Sequence, residues 1–311
     1  MANETVLKRY EGNPIITAAA VPTANTIFNS AAVRFEDGYA GVFRVDTQNI
    51  ECELHVGFSD DGIDWKIDPE KITVTSDDPD AIPGGPVNPY DPRVTPLEGE
   101  FIVTWCGYPA GPGPHMGMAR TKDFKRFDLV SDIVFPYNRN AVVFPRKVGG
   151  KYAALHRPSD PYHTRYGDIF FASSPDLVHW GNHHYVFGPR GGWQGGKTGA
   201  GPVPIETAEG WLMIYHGVRI TCNGYIYAVS AALVDLEKPW KVLYRTKRYL
   251  LHPTEPYERS GDVPNVCFPC AAIVDDKTRE LRLYYGAADT SVCLATGNLD
   301  EILEFVKMNS F

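Results

Sequence analysis

Long hydrophobic runs are missing from this 311-residue chain. No stretch approaches the roughly 18 uninterrupted apolar residues of a membrane helix, and the opening MANETVLKRYEGNP lacks the apolar core of a secretory signal. The expected address is therefore cytoplasmic, with no membrane partner. Blocks of basic residues are missing too: Lys plus Arg number 30 against 38 Asp plus Glu, a net charge of −8. No nucleic-acid footprint is expected from that balance, and any anionic ligand must be held by a local cluster of cations. Cysteine is scarce. Six thiols (Cys52, Cys106, Cys222, Cys267, Cys270, Cys293) in a chain of this length do not make a disulfide framework. The one CxxC, Cys267-Phe-Pro-Cys270, has no second Cys/His pair at zinc spacing and no thioredoxin-like βαβ context. Reduced core thiols are the expected state. His55, His115, His163, His179, His183, His184 and His252 show no metal-ligand spacing, and adjacent His183 and His184 face opposite sides of a strand. No metal and no cofactor is expected, and the oligomeric state is left open, a homo-oligomer included.

Helical periodicity is nearly absent as well. The one segment with a cap and an i, i+3, i+4 pattern is the tail, where Asn298 precedes Leu299, Ile302, Leu303 and Val306. What the chain has instead is strand-forming residues, at 43% hydrophobic and 12% aromatic, broken by Gly, Pro, Asn and Asp clusters. These strands recur as a unit: an apolar triplet near a Gly or Arg, a second strand, then an Asp-centred turn with an aromatic. GVFR (41–44) leads to HVGFSDDGIDW (55–65), FIVTWCG (101–107) to MGMARTKDFKRF (116–127), and YAALHRP (152–158) to IFFASSPDLVHW (169–180). WLMIYHG (211–217) leads to YAVSAALVDLEKPW (227–240), and LRLYYGAAD (281–289) to VCLATGNLDEI (292–302). Five copies predict an all-β, five-bladed β-propeller, one domain over 1–311, with a short C-terminal helix outside. The segment 14–33 is expected to complete the ring beside the last blade. Propellers bind ligands at the central channel, so chemistry should come from residues spread evenly along the chain near the innermost strand ends.

Polar residues do fall at equivalent places in the repeats: Asn29, Ser30, Arg44, Asp46, Asp91, Arg93, Arg139, Asn140, Arg157, Lys197, His216 and Asp289. A channel lined by Arg139, Arg157, Lys197 and His216 in an acidic protein would be an anion pocket, and the planar, bidentate donors of Arg suit phosphate. Five-bladed propellers often act on sugars, and glycoside hydrolysis needs two carboxylates. Here Asp91 alone stands out as a candidate acid. With cations in place of the second carboxylate, phosphate itself can be the nucleophile, and phosphorolysis results. Other charged residues fit structural roles. Arg93 is expected to pair with a blade carboxylate, and Asp61 with Trp65 in SDDGIDW to stabilise a turn at a blade's outer edge.

The motifs FNSAAV, GVFRVD, YDPRV, NRNAVVFPRK, HRPSD, KTGAGPVPIET, GWLMIYHGV, VPNVCFPCAA and YYGAAD occur in one order over nearly the whole chain. In this the sequence resembles the mannoside phosphorylases of glycoside hydrolase family 130. The resemblance implies inverting cleavage of β-mannosides by phosphate, giving α-mannose 1-phosphate and a shortened acceptor. It implies that Asp91, in the Asp-Pro-Arg motif, is the acid, passing its proton through the 3-hydroxyl of the mannose. By the same resemblance Arg139, Asn140, Arg157, Lys197 and His216 contact phosphate. Asn29, Ser30, Arg44, Asp46 and Asp289 would contact the mannose, with Tyr90 and Tyr227 as neighbours. A β-mannosidase on the same fold is the rival reading, but it replaces the phosphate-binding cations by carboxylates, and Arg139, Arg157 and His216 are all present. A non-catalytic glycan-binding propeller is the other rival, and it needs no acid beside an anion pocket. The acceptor subsite is expected in loops 108–115, 159–167 and 219–226, with β-1,4 linkage preferred over β-1,2 and the acceptor sugar left open.

Overall fold

The computed structural model describes residues 6–77, 88–107, 113–134, 137–159 and 167–311. Its strands run β1 (Lys8–Arg9), β2 (Ala24–Phe35), β3 (Gly38–Thr47), β4 (Cys52–Ser59), β5 (Lys66–Lys71) and β6 (Val74–Thr75). There follow β7 (Tyr90–Leu97), β8 (Glu100–Gly107), β9 (His115–Thr121), β10 (Phe127–Asp132), β11 (Asn138–Val143), β12 (Tyr152–Pro158), β13 (Ile169–Ser174) and β14 (Gly181–Phe187). The remainder are β15 (Lys197–Ala200), β16 (Ile205–Thr207), β17 (Gly210–Thr221), β18 (Gly224–Val234), β19 (Val242–Arg245), β20 (Cys267–Val274), β21 (Glu280–Ala287) and β22 (Ser291–Asn298). The helices are a single turn, α1 (Pro256–Arg259), and α2 (Leu299–Met308).

These strands form five small sheets, the blades of a five-bladed propeller. From the inside outward they are β2-β3-β4-β5, β7-β8-β9-β10-β6, β11-β12-β13-β14, β15-β17-β18-β19 and β20-β21-β22-β1. The innermost strands meet around the centre, β2 touching β7 and β20, β7 touching β11, and β11 touching β15.

The Asp-centred turns fall where the repeat predicts, between third and fourth strands. Asp61, Asp123, Asp176 and Asp235 each accept the N–H groups two and three residues on, the Asx-turn geometry that makes Asp a turn former. Trp65 packs edge-on against Phe43 and Tyr284, so this pair is structural, as expected. In the fifth blade the same position is Asn298, which accepts from the N–H groups of Asp300 and Glu301 and so starts α2 instead of a fourth strand. Leu299, Ile302, Leu303 and Val306 are then buried against Leu7, Leu281 and Leu283.

Ring closure differs from the sequence expectation. The fourth strand of the last blade is β1, paired Lys8 to Thr296 and Arg9 to Ala295. Of the segment 14–33, Ile16 bridges to Val292, but residues from Ala24 onward are β2, the innermost strand of the first blade. A two-residue strand has no periodicity to reveal it. A partly buried salt bridge anchors it: Arg9 holds the buried Glu258 of α1 through Nε at 2.7 Å and Nη2 at 2.9 Å.

The apolar core is divided among the wedges between neighbouring blades, such as Phe144, Phe171, Trp211 and Tyr215 between the third and fourth. Each fully buried side chain of this size contributes roughly 1.5–3 kcal/mol, and the polar strand ends are left to the channel. All six cysteines are free thiols, but only four are core residues: Cys52 is half-buried and Cys222 is exposed in the β17–β18 turn. His183 reaches His156 while His184 stacks on Trp240 at 4.1 Å, opposite sides of β14 as expected. Among the described residues, no helix is long and apolar enough to cross a membrane.

Candidate active site

Three innermost strands carry one local device. β2, β7 and β11 slip register between Phe28 and Ala31, Tyr90 and Arg93, and Arg139 and Val142. Within each slip one residue is left-handed: Asn29 at φ 42°, Asp91 at φ 50° and Asn140 at φ 55°. Asn and Asp tolerate that region far better than other side chains, and a bulge re-aims the residues around it.

On the first two blades the site is closed upon itself. Asp91 is buried, and its Oδ1 accepts from Asn29 Nδ2 and from Arg44 Nη1, each at 2.9 Å. Arg44, from β3, is clasped by Asp46 two residues on, Nε to Oδ1 and Nη2 to Oδ2, both at 2.8 Å. Its guanidinium lies 4.1 Å from the ring centre of Phe28 and 5.3 Å from that of Tyr90. Ser30 Oγ donates to the Phe28 carbonyl and accepts the Arg44 N–H, tying the bulge to β3. Asp289 follows β21 with φ 49°. Burial pushes its carboxyl up to about 7, with Arg44 opposing and Asp91 and Asp46 reinforcing.

Across from this, Arg139, Asn140, Arg157, Lys197 and His216 line one cavity of about 340 Å³ together with Tyr90, Asp91, Ser159, Tyr225, Tyr227 and Phe268. Asp91 is the one carboxylate among the described residues lining it. Arg157 Nη1 donates to His216 Nε2 at 3.1 Å and to the Thr198 carbonyl at 3.4 Å. A guanidinium only donates, so Nε2 is the acceptor and Nδ1 carries the imidazole proton. Burial, reinforced by Arg157, Lys197 and Arg93, holds His216 well below its ordinary range. It is therefore a neutral ring that steers Arg157, not one of the cations that the residue pattern suggested. Burial also pushes Arg157 down from its ordinary value, Tyr227 opposing and Arg139 reinforcing. Lys197 Nζ sits over the rings of Tyr225 and Tyr227, at 4.8 and 4.9 Å. Burial, then Arg157 and Arg139, pushes its ammonium down to about 7. Arg157 Nε, His216 Nδ1 and Asn140 Oδ1 are buried with no hydrogen-bond partner among the described residues. Clustered cations with unused donors are suited to an anion. Gly199 permits the arrangement, because a Cβ there would overlap His216 and the Arg157 guanidinium.

Of the residues expected at the site, Tyr90, Asp91, Arg139, Asn140, Arg157, Lys197, His216 and Tyr227 line the cavity, whereas Asn29, Ser30, Arg44, Asp46 and Asp289 do not. Asn29 and Arg44 reach it through Asp91. Arg93 is structural, but its partners are not carboxylates: it donates to the carbonyls of Asp91, Pro92, Gly201 and Pro269. Phe268 was not anticipated; it lies 4.6 Å from the His216 ring, near the start of the last innermost strand. Of the acceptor loops, 108–112 and 160–166 lie outside the described residues, while Ser159 and Tyr225 from the second and third reach the cavity.

Comparison with known proteins gives four findings of one kind. A glycoside hydrolase family 130 model, described as beta-1,4-mannooligosaccharide phosphorylase, matches residues 3–308. The beta-1,4-mannooligosaccharide phosphorylase of Ruminococcus albus is 48% identical over 312 residues, covering 98% of this chain and 92% of that protein. The 4-O-beta-D-mannosyl-D-glucose phosphorylase of Bacteroides fragilis is 28% identical, covering 96% and 84%. Among solved structures, the beta-1,2-mannobiose phosphorylase of Listeria innocua in complex with beta-1,2-mannobiose superposes with a TM-score of 0.84 at 30% identity, over 97% of this chain and 99% of that one.

Proposed function

The chain belongs to glycoside hydrolase family 130 and is a β-mannoside phosphorylase, and from that premise we propose that it takes β-1,4-linked mannooligosaccharides, inverts the anomeric carbon and releases α-mannose 1-phosphate. The observation that carries this reading is the single cavity in which Arg139, Asn140, Arg157, Lys197 and His216 face Asp91 with no other carboxylate among the described lining residues. An inverting hydrolase would need a second carboxylate there to activate water. Phosphate needs no such base.

In this reading phosphate docks on Arg139, Arg157 and Lys197, with Asn140 and the Nδ1–H of His216 as neutral partners. The terminal mannose lies toward Asn29, Ser30, Arg44, Asp46, Tyr90, Tyr227 and Asp289. A phosphate oxygen attacks C1 from the face opposite the leaving group and the C1–O bond breaks. Asp91, with Oδ1 held by Asn29 and Arg44, protonates the departing oxygen through the 3-hydroxyl of the mannose and is later reprotonated. The net proton on the acceptor is the one that hydrogen phosphate brings, so the equation balances without a further reactant. The β-1,4 preference rests on the 48% identical relative.

Chromatography of products from β-1,4-mannobiose tests this, with mannose 1-phosphate expected only when phosphate is present. Free mannose at an equal rate without phosphate would replace phosphorolysis by hydrolysis. In kinetics, Arg157→Ala should raise the KM for phosphate about 10- to 100-fold, the loss of a charge-assisted hydrogen bond, and that for the mannoside far less. Reverse reaction from α-mannose 1-phosphate with mannose, mannooligosaccharides, glucose and N-acetylglucosamine identifies the acceptor.

A further inference from the structure

Asn138, the first residue of β11, is buried, and its Oδ1 accepts three hydrogen bonds. The backbone N–H groups of Arg139 and Arg157 donate at 3.1 Å each, and His156 Nδ1 lies at 3.2 Å. Backbone N–H groups only donate, so these partners identify the atom as the amide oxygen and require His156 Nδ1 to carry its proton. His156 Nε2 is then an acceptor, and the group facing it at 3.0 Å, His183 Nδ1, must donate. The hydrogen bonds thus run in one direction, from His183 to His156 to Asn138. Burial, with His183 reinforcing, holds His156 down to about 3, so the middle ring stays neutral and the direction is kept.

Arg139 and Arg157 face each other in register across β11 and β12, immediately before the bulge. Their guanidiniums are like charges, each weakening the other's neighbourhood for a second cation. Without an anion, nothing in Coulomb's law draws them together. What joins them is one side-chain oxygen, Asn138 Oδ1, that accepts the main-chain N–H of both. We propose that Asn138, held by His156 and His183, is the positioning residue of the phosphate subsite, fixing the Arg139 and Arg157 backbones to one oxygen so that both side chains converge on one anion. None of the three side chains lines the cavity, so their effect passes through the arginines. This inference rests on the reading that Arg139 and Arg157 bind phosphate.

The test is steady-state kinetics on the full-length enzyme, with thermal unfolding alongside. Asn138→Ala should raise the KM for phosphate on the order of tenfold, as losses of supporting hydrogen bonds do, and leave the KM for the mannoside unchanged. His156→Leu should shift the phosphate KM in the same direction. His156→Asn, whose amide N–H can occupy the place of Nδ1–H, should restore it. A phosphate KM that does not move, or moves equally with the mannoside KM, overturns the positioning role. If Asn138→Ala does not fold, the two His156 variants decide by the same criterion. Arg157→Ala is the control: if it too leaves the phosphate KM unchanged, the phosphate-site reading itself has failed, whereas a response from Arg157→Ala alone removes only Asn138.

Discussion

Arg44 on the first blade and Arg157 on the third are guanidiniums of one site in opposite company. Arg44 is gripped by both oxygens of Asp46 and bonds Asp91, so its charge is answered within the protein. Arg157 bonds a neutral imidazole and a carbonyl, stands near Arg139 and Lys197, and keeps a buried Nε without a partner. A charge already paired gains little from a ligand, but one buried among like charges gains a great deal. In the proposed function the first side therefore holds an acid in place before substrate arrives, and the second is completed by phosphate.

The largest break of this comparison is Asp91→Asn. The amide keeps an oxygen for Asn29 and Arg44, so the paired side should survive with only its proton lost. Activity should fall by about 10²–10⁴-fold, the usual contribution of a positioned general acid. Phosphate should still raise the unfolding temperature, because ligand that binds only the folded state stabilises it. Wild-type phosphorolysis by this variant would sink the assignment of Asp91. Next in size is Gly199→Ala, which keeps every charge and pushes a methyl group between His216 and Arg157. Phosphate KM should rise about 10-fold or more, the scale of one lost charge-assisted hydrogen bond. If it does not, net positive charge, not the Arg157–His216 geometry, governs the site.

The five blades were legible because each repeat carries runs of strand-forming residues and a short polar side chain, Asp in four blades and Asn298 in the fifth, that accepts the turn's N–H groups, and these are local features. Ring closure was not, since β1 has two residues and is specified by pairing with β22 and by the Arg9–Glu258 contact, at opposite ends of the chain. Three of the candidate site residues were readable as types because Asn29, Asp91 and Asn140 sit at left-handed bulges that few other residues tolerate. Phe268 was hidden between two cysteines that read as core, and its place in the cavity follows only from β20 being innermost. Neutral His216 was hidden for another reason: burial beside Arg157 decides its charge, and no spacing in the sequence encodes burial.

The smallest expected effect is a pH dependence on the side of Arg157 and Lys197. Lys197 has a value of about 7 in the empty site, set by burial and then by Arg157 and Arg139, with Asp289 opposing. A bound anion favours the ammonium, so its value rises on binding, and phosphate affinity from this group must fall as pH climbs through about 7. Folding carries the same proton with the opposite sign. Between about 7 and the ordinary 10.5 the unfolded chain binds a proton that the empty folded site does not, so this group's contribution to stability rises with pH across that window. Lys197→Met removes both slopes while leaving the ionisation of phosphate itself, and of Asp289, common to the two proteins. The ratio of phosphate KM values, Lys197→Met over wild type, should therefore be largest near about pH 6.5 and shrink by roughly three- to tenfold by about pH 8.5. A ratio that stays constant across this range would place the Lys197 ammonium outside the phosphate subsite, leaving its contact with Tyr225 and Tyr227 as its role.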